Sequence, residues 1–219
     1  MREQSRRFFD SIAGRYDRVY APSSAESRAR MARVTSELLP ASRVLDLGVG
    51  TGRELSSLLD AGHTVVGLDV SAEMLARCAR RARPVPLVQA DLWDTLPFES
   101  GTFDAVIALH GTLAHPPSDS APRSLSIEVA RVLAEAGLFV FEVPLPRWVD
   151  GGLAGDEERD VRRVGDARAV VTDCATGAAI ETRLFGAREW RDALSSRFAV
   201  RKALEERDEL LLVAAKRSF

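Results

Sequence analysis

Apolar positions along the chain recur in two rhythms, one of helical period and one of short continuous runs. Phe8, Phe9, Ile12, Ala13, Tyr16 and Tyr20 share one face at helical spacing, while Arg6, Arg7, Asp10 and Arg15 fall largely elsewhere. That spacing predicts an amphipathic helix over the first twenty residues, ended by Pro22. Ser23 and Glu26 form an S-x-x-E capping box for a second helix that runs to about Leu39 and stops at Pro40. Beyond it, apolar runs predict strands over 43–47, 63–69, 85–90, 103–109 and 137–143, and helical patterns over 54–60, 71–82 and 122–135 lie among them. Such alternation argues for a mostly parallel sheet covered by helices on both faces, an α/β fold. The last third changes character. Strand-like pieces over 168–172 and 178–184 flank the turn DCATG and read as a hairpin. A helix over 187–196 precedes two closing strands, 198–204 and 209–215, whose short joint favours antiparallel pairing. The stretch 151–160 is the most loop-like, and no internal repeat is visible.

Composition narrows the function classes. The 219 residues, 46% hydrophobic, fit one domain with a full core. A formal charge of −2 offers no cationic field for a polyanion, so no nucleic-acid partner is expected. The 28 arginines and two lysines are dispersed through helices and turns. Cys78 and Cys174 lack zinc-ligand spacing and frame no disulfide scaffold, so reduced thiols and no metal are expected. The N-terminus lacks an apolar leader and no run approaches the roughly 20 apolar residues of a membrane span, which predicts a cytoplasmic protein with no membrane partner.

The strongest chemical signal is VLDLGVGTG, residues 44–52. An apolar strand carries Asp46, and Gly48, Gly50 and Gly52 then occupy alternate positions before a helix. Glycines let the backbone turn sharply and approach a ligand, and the helix start offers unpaired N–H groups. Asp69 closes the next strand, where a carboxylate is placed to accept hydrogen bonds from ribose hydroxyls. Together these residues describe a nucleoside site. The dinucleotide pattern GxGxxG is not met, because Arg53 and Glu54 stand where its third glycine would fall.

VLDLGVGTG instead resembles the first motif of class I S-adenosylmethionine-dependent methyltransferases, and the likeness extends through GLDVS, QADLWD, FDAVIAL and LAEAGLFVFEV, with Val49 standing where cysteine is frequent. FDSIAGRYD is similar to the amino-terminal segment of a small-molecule subgroup (methyltransferase type 11/25-like). The resemblance implies a doubly wound, seven-stranded Rossmann-like sheet with an antiparallel last strand. It divides a single domain, 1–219, into an N-terminal helical lid (1–40), a cofactor-binding core (41–143), a substrate-side hairpin insertion after strand 5 (144–186) and a closing helix and strands (187–219).

It further implies S-adenosylmethionine as cofactor, giving S-adenosylhomocysteine. The amino-acid end would lie over Gly48, Gly50 and Gly52 with Asp46 beneath. The ribose would sit on Asp69, the adenine against Val70, Asp91 and Leu92, and the methionyl group by the Leu109 carbonyl, Tyr16 and Arg15. Amphipathicity alone leaves open whether the aromatic helix is a lid or covers the sheet edge. The loop LHGTLAHP after the fourth strand looks like that of small-molecule amine and hydroxyl methyltransferases, which implies an O- or N-acceptor of low molecular weight, a secondary metabolite being one such class.

Methyl transfer from a sulfonium needs alignment more than acid catalysis, but a hydroxyl or protonated amine must lose a proton. His110 and His115 lie just beyond a parallel strand's carboxyl end, where open α/β sheets bind ligands, and are the candidate bases. His110 is preferred because it follows the strand directly, whereas the prolines after His115 are expected to turn that ring away. His63 reads as an exposed turn residue. Tyr20, Arg147, Trp148 and Phe185 are the candidate acceptor contacts, since aromatics and arginine suit concave apolar pockets. Two further readings stay open: a non-catalytic S-adenosylmethionine-binding subunit or sensor, and an NAD-dependent oxidoreductase. So does the choice between monomer and homodimer.

Overall fold

The computed structural model describes residues 2–20, 24–81, 84–149, 157–206 and 208–218. Its helices are α1 (Arg2–Ile12), α2 (Tyr16–Tyr20), α3 (Ser24–Glu37), α4 (Leu55–Asp60), α5 (Ala72–Arg81), α6 (Ala121–Val132) and α7 (Ala187–Leu194). The strands are β1 (Arg43–Leu47), β2 (Thr64–Asp69), β3 (Leu87–Gln89), β4 (Phe103–Ala108), β5 (Leu133–Pro144), β6 (Arg159–Gly165), β7 (Arg168–Asp173), β8 (Ala179–Arg183), β9 (Phe198–Glu206) and β10 (Glu209–Lys216). Seven of them form one sheet in the order β3-β2-β1-β4-β5-β10-β9. Pairing is parallel from β3 to β5, and β10 runs antiparallel to both β5 and β9. The winding direction reverses between β1 and β4, so loops leaving their carboxyl ends diverge and open a crevice there.

Strand alternation explains the two layers. Leu45, Leu47, Phe139, Phe141, Leu210 and Leu212 pack with Leu125 and Val129 of α6 and Trp190 and Leu194 of α7. The intervening Val44, Val140, Leu211 and Val213 face Met31 and Val34 of α3, Leu55 and Leu58 of α4 and Cys78 of α5. Continuous apolar runs are therefore needed, because both faces are buried. Each such side chain contributes about 1.5–3 kcal/mol on full burial.

Several elements depart from the sequence expectation. The first helix is two, α1 and α2, separated by a turn through Ala13, Gly14 and Arg15; glycine weakens the helix where the chain redirects α2 toward the glycine loop. Helix α6 ends at Val132 rather than near 135, and β5 begins at Leu133, which pairs with Phe103. The strand then kinks through Ala136, at φ 57°, and the register shifts before Leu138 pairs with Ala105. His63 is buried at the start of β2 and not exposed. The proposed cap at Ser23 lies outside the described residues.

The hairpin is a three-stranded antiparallel sheet, β6-β7-β8. Its extra strand fell in and beside the stretch read as loop, because in RDVRRVG only Val161 turns inward. Val161, Ala169, Val171, Ile180 and Leu184 pack against Phe8, Ile12 and Ala13 of the N-terminal helical segment, forming a third apolar cluster. Arg15 Nη1 donates to Asp173 Oδ1 at 2.8 Å, and Arg15 and Arg18 both pair with Glu158. Helices α1 and α2 and the small sheet thus make one cap. Asp10 fastens it by accepting the Ser71 hydroxyl at 2.5 Å at the start of α5. Asp17 accepts the Thr51 hydroxyl at 2.6 Å and pairs with Arg81 at 2.8 Å.

Candidate functional site

Between cap and sheet lies a cavity of about 200 Å³ at the carboxyl ends of β1, β2 and β4, far larger than the roughly 10–15 Å³ that holds a water. Its floor is the loop after β1. Gly48 sits at φ 70°, and a Cβ there would stand 2.5 Å from the Thr112 side chain. Gly50, at φ 54°, would meet nothing nearer than 3.9 Å, so open space lies over it. Gly52 serves another purpose: its φ is 74° and a Cβ would press within 2.6 Å of Cys78 Sγ, so it admits α5 and does not border the cavity.

Asp69 ends β2 with each carboxylate oxygen taking one backbone donor, Gly50 N at 2.9 Å and Ser71 N at 2.9 Å. A carboxylate's four lone-pair sites leave capacity beyond these amides for a ligand hydroxyl. Burial pushes its carboxyl up to about 6, against which the Ser71, Gly50 and Val70 amides act. Val70, Ala90, Asp91 and Leu92 continue the wall, and Asp91 Oδ1 is held by Trp93 N at 2.9 Å. Asp46 is buried beneath the loop; desolvation first, then the nearby charges of Glu54 and Asp69, hold its carboxyl well above the usual range. A small recess opens off the cavity past Tyr16, Gly48 and His110, bounded also by Asp46, Arg53, Glu54 and Leu109. These residues fit a nucleoside carrying an amino-acid tail: open backbone over Gly50, acceptors at Asp69 and Asp91, and a polar recess.

The two histidines differ in kind. His110, at φ 55°, holds Glu54 Oε1 through Nε2 at 2.7 Å and faces Arg30 Nη1 through Nδ1 at 3.3 Å. Guanidinium only donates, so Nδ1 accepts and Nε2–H donates to Glu54, leaving neither nitrogen to take a proton from a ligand. Arg30 continues to Glu142 at 2.9 Å and Glu209 at 2.7 Å. Burial raises the Glu54 carboxyl, but the His110 hydrogen bond, the charges of His110 and Arg53, and Ser27 outweigh it and leave it below its usual value. The preference for His110 as base is therefore corrected: it is a member of a closed polar network.

His115, expected to turn away, borders the cavity instead. Its Nδ1 lies 3.0 Å from the Glu181 carbonyl of β8, which can only accept, so Nδ1 carries the proton and Nε2 bears the lone pair. Burial lowers its pKa, against the Glu181 hydrogen bond, so the ring is neutral near pH 7.

Among the acceptor candidates, Tyr20 and Trp148 border the cavity. Arg147 and Phe185 do not. Arg147 reaches outward to Glu205 at 3.0 Å, and Phe185 is buried against Trp190 with ring centroids 5.8 Å apart. Arg15, engaged with Asp173, does not reach the recess either. Sequence reasoning passed over Thr112, Phe9, Trp93, Arg159, Arg30 and the role of Glu54. Only Glu54 carried a signal, its place shortly after the glycine loop; Arg30 is one of 28 arginines dispersed along the chain.

Comparison with known proteins adds a family. Residues 44–137 match the family described as methyltransferase domain. The chain is 32% identical over 193 residues to the uncharacterized protein MJ1252 of Methanocaldococcus jannaschii, covering 85% of this chain and 72% of that one. It is 38% identical over 144 residues to a demethylmenaquinone methyltransferase of Beutenbergia cavernae, covering 64% of this chain and only 58% of that protein. Its fold matches an S-adenosylmethionine-dependent methyltransferase from Clostridium acetobutylicum with a TM-score of 0.76 at 15% identity, over 96% of this chain and 99% of the other.

Proposed function

Because the chain belongs to the family of S-adenosylmethionine-dependent methyltransferases, we propose that it moves a methyl group to an oxygen or nitrogen of a small-molecule acceptor bound between cap and sheet. The observation that carries this reading is a single cavity bordered at one side by Gly48, Gly50, Asp69 and Asp91 and at another by His115, whose Nδ1 is held by the Glu181 carbonyl.

Bound there, the cofactor supplies a methyl carbon on a sulfonium that leaves without protonation. Asp69 would hold the ribose through its remaining lone-pair capacity. Val70 and Leu92 would flank the adenine and Asp91 would take its amine. Tyr16 and the recess beside Asp46 and Leu109 would hold the amino-acid end. Cap residues Phe8, Phe9 and Tyr20 exclude water, which would compete as nucleophile. His115 Nε2 would accept the proton that the acceptor's hydroxyl or amine loses on methylation. The Glu181 carbonyl orients the resulting imidazolium through Nδ1. On this reading the protein would work in the cytoplasm without a metal.

Calorimetric titration with S-adenosylmethionine, S-adenosylhomocysteine and NADH tests the cofactor: the two sulfur nucleosides bind and NADH does not, and Asp69→Ala loses the binding. Binding of NADH alone would overturn the reading. His115→Ala should lower turnover by about 10²–10⁴-fold while leaving cofactor affinity within a few-fold.

A further inference from the structure

Resting on the methyltransferase reading, we propose that Glu54 receives the ammonium of the cofactor's amino-acid end, with His110 and Ser27 as the positioning residues that hold its carboxylate at the recess. The recess measures about 30 Å³ and opens beside Gly48 and Gly50, with room for a small polar group. An amino-acid end brings one ammonium and one carboxylate, and the ammonium needs an anionic partner once it leaves water. Asp46 and Glu54 are the two carboxyls among the described residues that border the recess. Both are buried, and their surroundings divide them.

At Asp46 nothing counters burial: desolvation, then the negative charges of Glu54 and Asp69, all disfavour the ionised form. At Glu54 the charge is provided for. His110 Nε2–H donates to Oε1 at 2.7 Å, and the Ser27 hydroxyl stands 3.2 Å from both oxygens. These bonds and the charges of His110 and Arg53 outweigh burial and keep the carboxyl below its usual value. A carboxylate offers about four lone-pair sites, so one bond from His110 and one from Ser27 leave capacity for an ammonium N–H. The donor is itself fixed. Arg30 Nη1 meets His110 Nδ1 at 3.3 Å and reaches Glu142 at 2.9 Å and Glu209 at 2.7 Å, which holds the imidazole from the side away from Glu54. Negative charge at the recess therefore resides on Glu54, from the loop after β1, and is braced by His110, from the loop after β4.

The test uses the full chain and three nucleosides, each titrated by calorimetry. They are S-adenosylhomocysteine, its deaminated analogue, which keeps the tail carboxylate, and 5′-methylthioadenosine, which lacks the tail. The native protein should bind S-adenosylhomocysteine at least about tenfold more tightly than the deaminated analogue, the worth of one hydrogen bond to a charged group. Glu54→Gln should cut that preference to within about twofold, while its affinity for 5′-methylthioadenosine, which carries no ammonium, stays within about twofold of native. Glu54→Asp, which keeps the charge, should retain more of the preference than Glu54→Gln, and Asp46→Asn should lower it less than Glu54→Gln does. Equal affinity for the first two nucleosides in the native protein, a preference that survives Glu54→Gln, equal loss in Glu54→Asp and Glu54→Gln, a larger loss in Asp46→Asn, or weakening of all three nucleosides alike would each overturn the role of Glu54. Failure of every nucleoside to bind the native protein would instead sink the methyltransferase reading beneath it.

Discussion

The two walls of the cavity are built by different means. The core wall is backbone and buried carboxylate: Gly48 and Gly50 at positive φ, and Asp69 held by two amides one loop apart. The cap wall is side chains from α1, α2 and β6–β8, segments more than a hundred residues apart joined by one apolar cluster and by ion pairs at Asp173 and Glu158. A loop set by local φ angles tolerates no added atoms. A wall set by distant pairings can lose a contact and still stand over an intact core.

The largest expected effect separates the two walls. Asp173 is fully buried, takes Arg15 at 2.8 Å and also accepts the Thr176 amide and hydroxyl at 2.9 Å each. Asp173→Ala removes a charge-assisted hydrogen bond from Arg15, which keeps Glu158, and strips the Thr176 amide and hydroxyl of their acceptor, together about 3–5 kcal/mol at roughly 1.5–3 kcal/mol per bond to a charged group. Hydrogen exchange should show amides of β6–β8 and α1 losing protection while β1, β4 and β5 keep theirs. If all lose protection together, cap and core are one cooperative unit and the contrast fails.

Next comes the core wall itself. In Gly48→Ala the residue keeps a φ that costs roughly 1–2 kcal/mol for a side chain, and its Cβ meets Thr112 at 2.5 Å. Cofactor affinity should fall about 100-fold, since strain and clash together approach 3 kcal/mol. Adding Thr112→Gly should recover the clash but not the strain. Full recovery would mean that φ at this position is unimportant.

These two cases show what was legible in the chain. Asp46, Gly48, Gly50 and Asp69 lie within 24 residues, and their order and spacing carry the chemistry because one strand–loop–helix unit and the next strand hold them all. The middle of the sheet was legible for a related reason, β1, β4, β5 and β10 announcing themselves by doubly buried apolar runs, whereas β3 and β9 at the edges are mostly half-buried or exposed. Strand β6 was not: one inward valine among arginines has no period to read. Nor were the roles of His110 and His115. Which ring nitrogen is free depends on Arg30 and Glu54 in one case and on the Glu181 carbonyl in the other, partners 80, 56 and 66 residues away.

A smaller effect comes from pH. The Asp69 carboxyl, raised by burial from 3.8 to about 6, must be ionised to accept ribose hydroxyls. Cofactor affinity is therefore full above that value and falls as pH drops through it, approaching about tenfold per unit. Stability of the free protein runs the opposite way. A folded-state pKa above the unfolded one contributes stability below the unfolded value, and that contribution is lost as pH rises through about 6. Calorimetry between pH 5 and 8 reads the first trend, and an affinity flat across that range would show that Asp69 does not hold the ribose. The control is Asp69→Asn, in which the slope should vanish.

The smallest effect lies where the walls meet. Asp17 of α2 accepts the Thr51 hydroxyl at 2.6 Å beside Gly50 and pairs with Arg81 at 2.8 Å, so the cap is tied to the very loop that underlies the cofactor. Asp17 is about a third exposed, and partly solvated pairs of this kind contribute roughly 0.2–1 kcal/mol. Asp17→Asn keeps one oxygen for Thr51 and loses the charge facing Arg81. The nucleoside should then dissociate about two- to fivefold faster in stopped-flow displacement. Raising ionic strength should speed release from the native protein by a similar factor and leave Asp17→Asn unaffected, since only the charged component is screened. Equal salt sensitivity in both proteins would place the fastening elsewhere, at the contact of Asp10 with Ser71 at the start of α5.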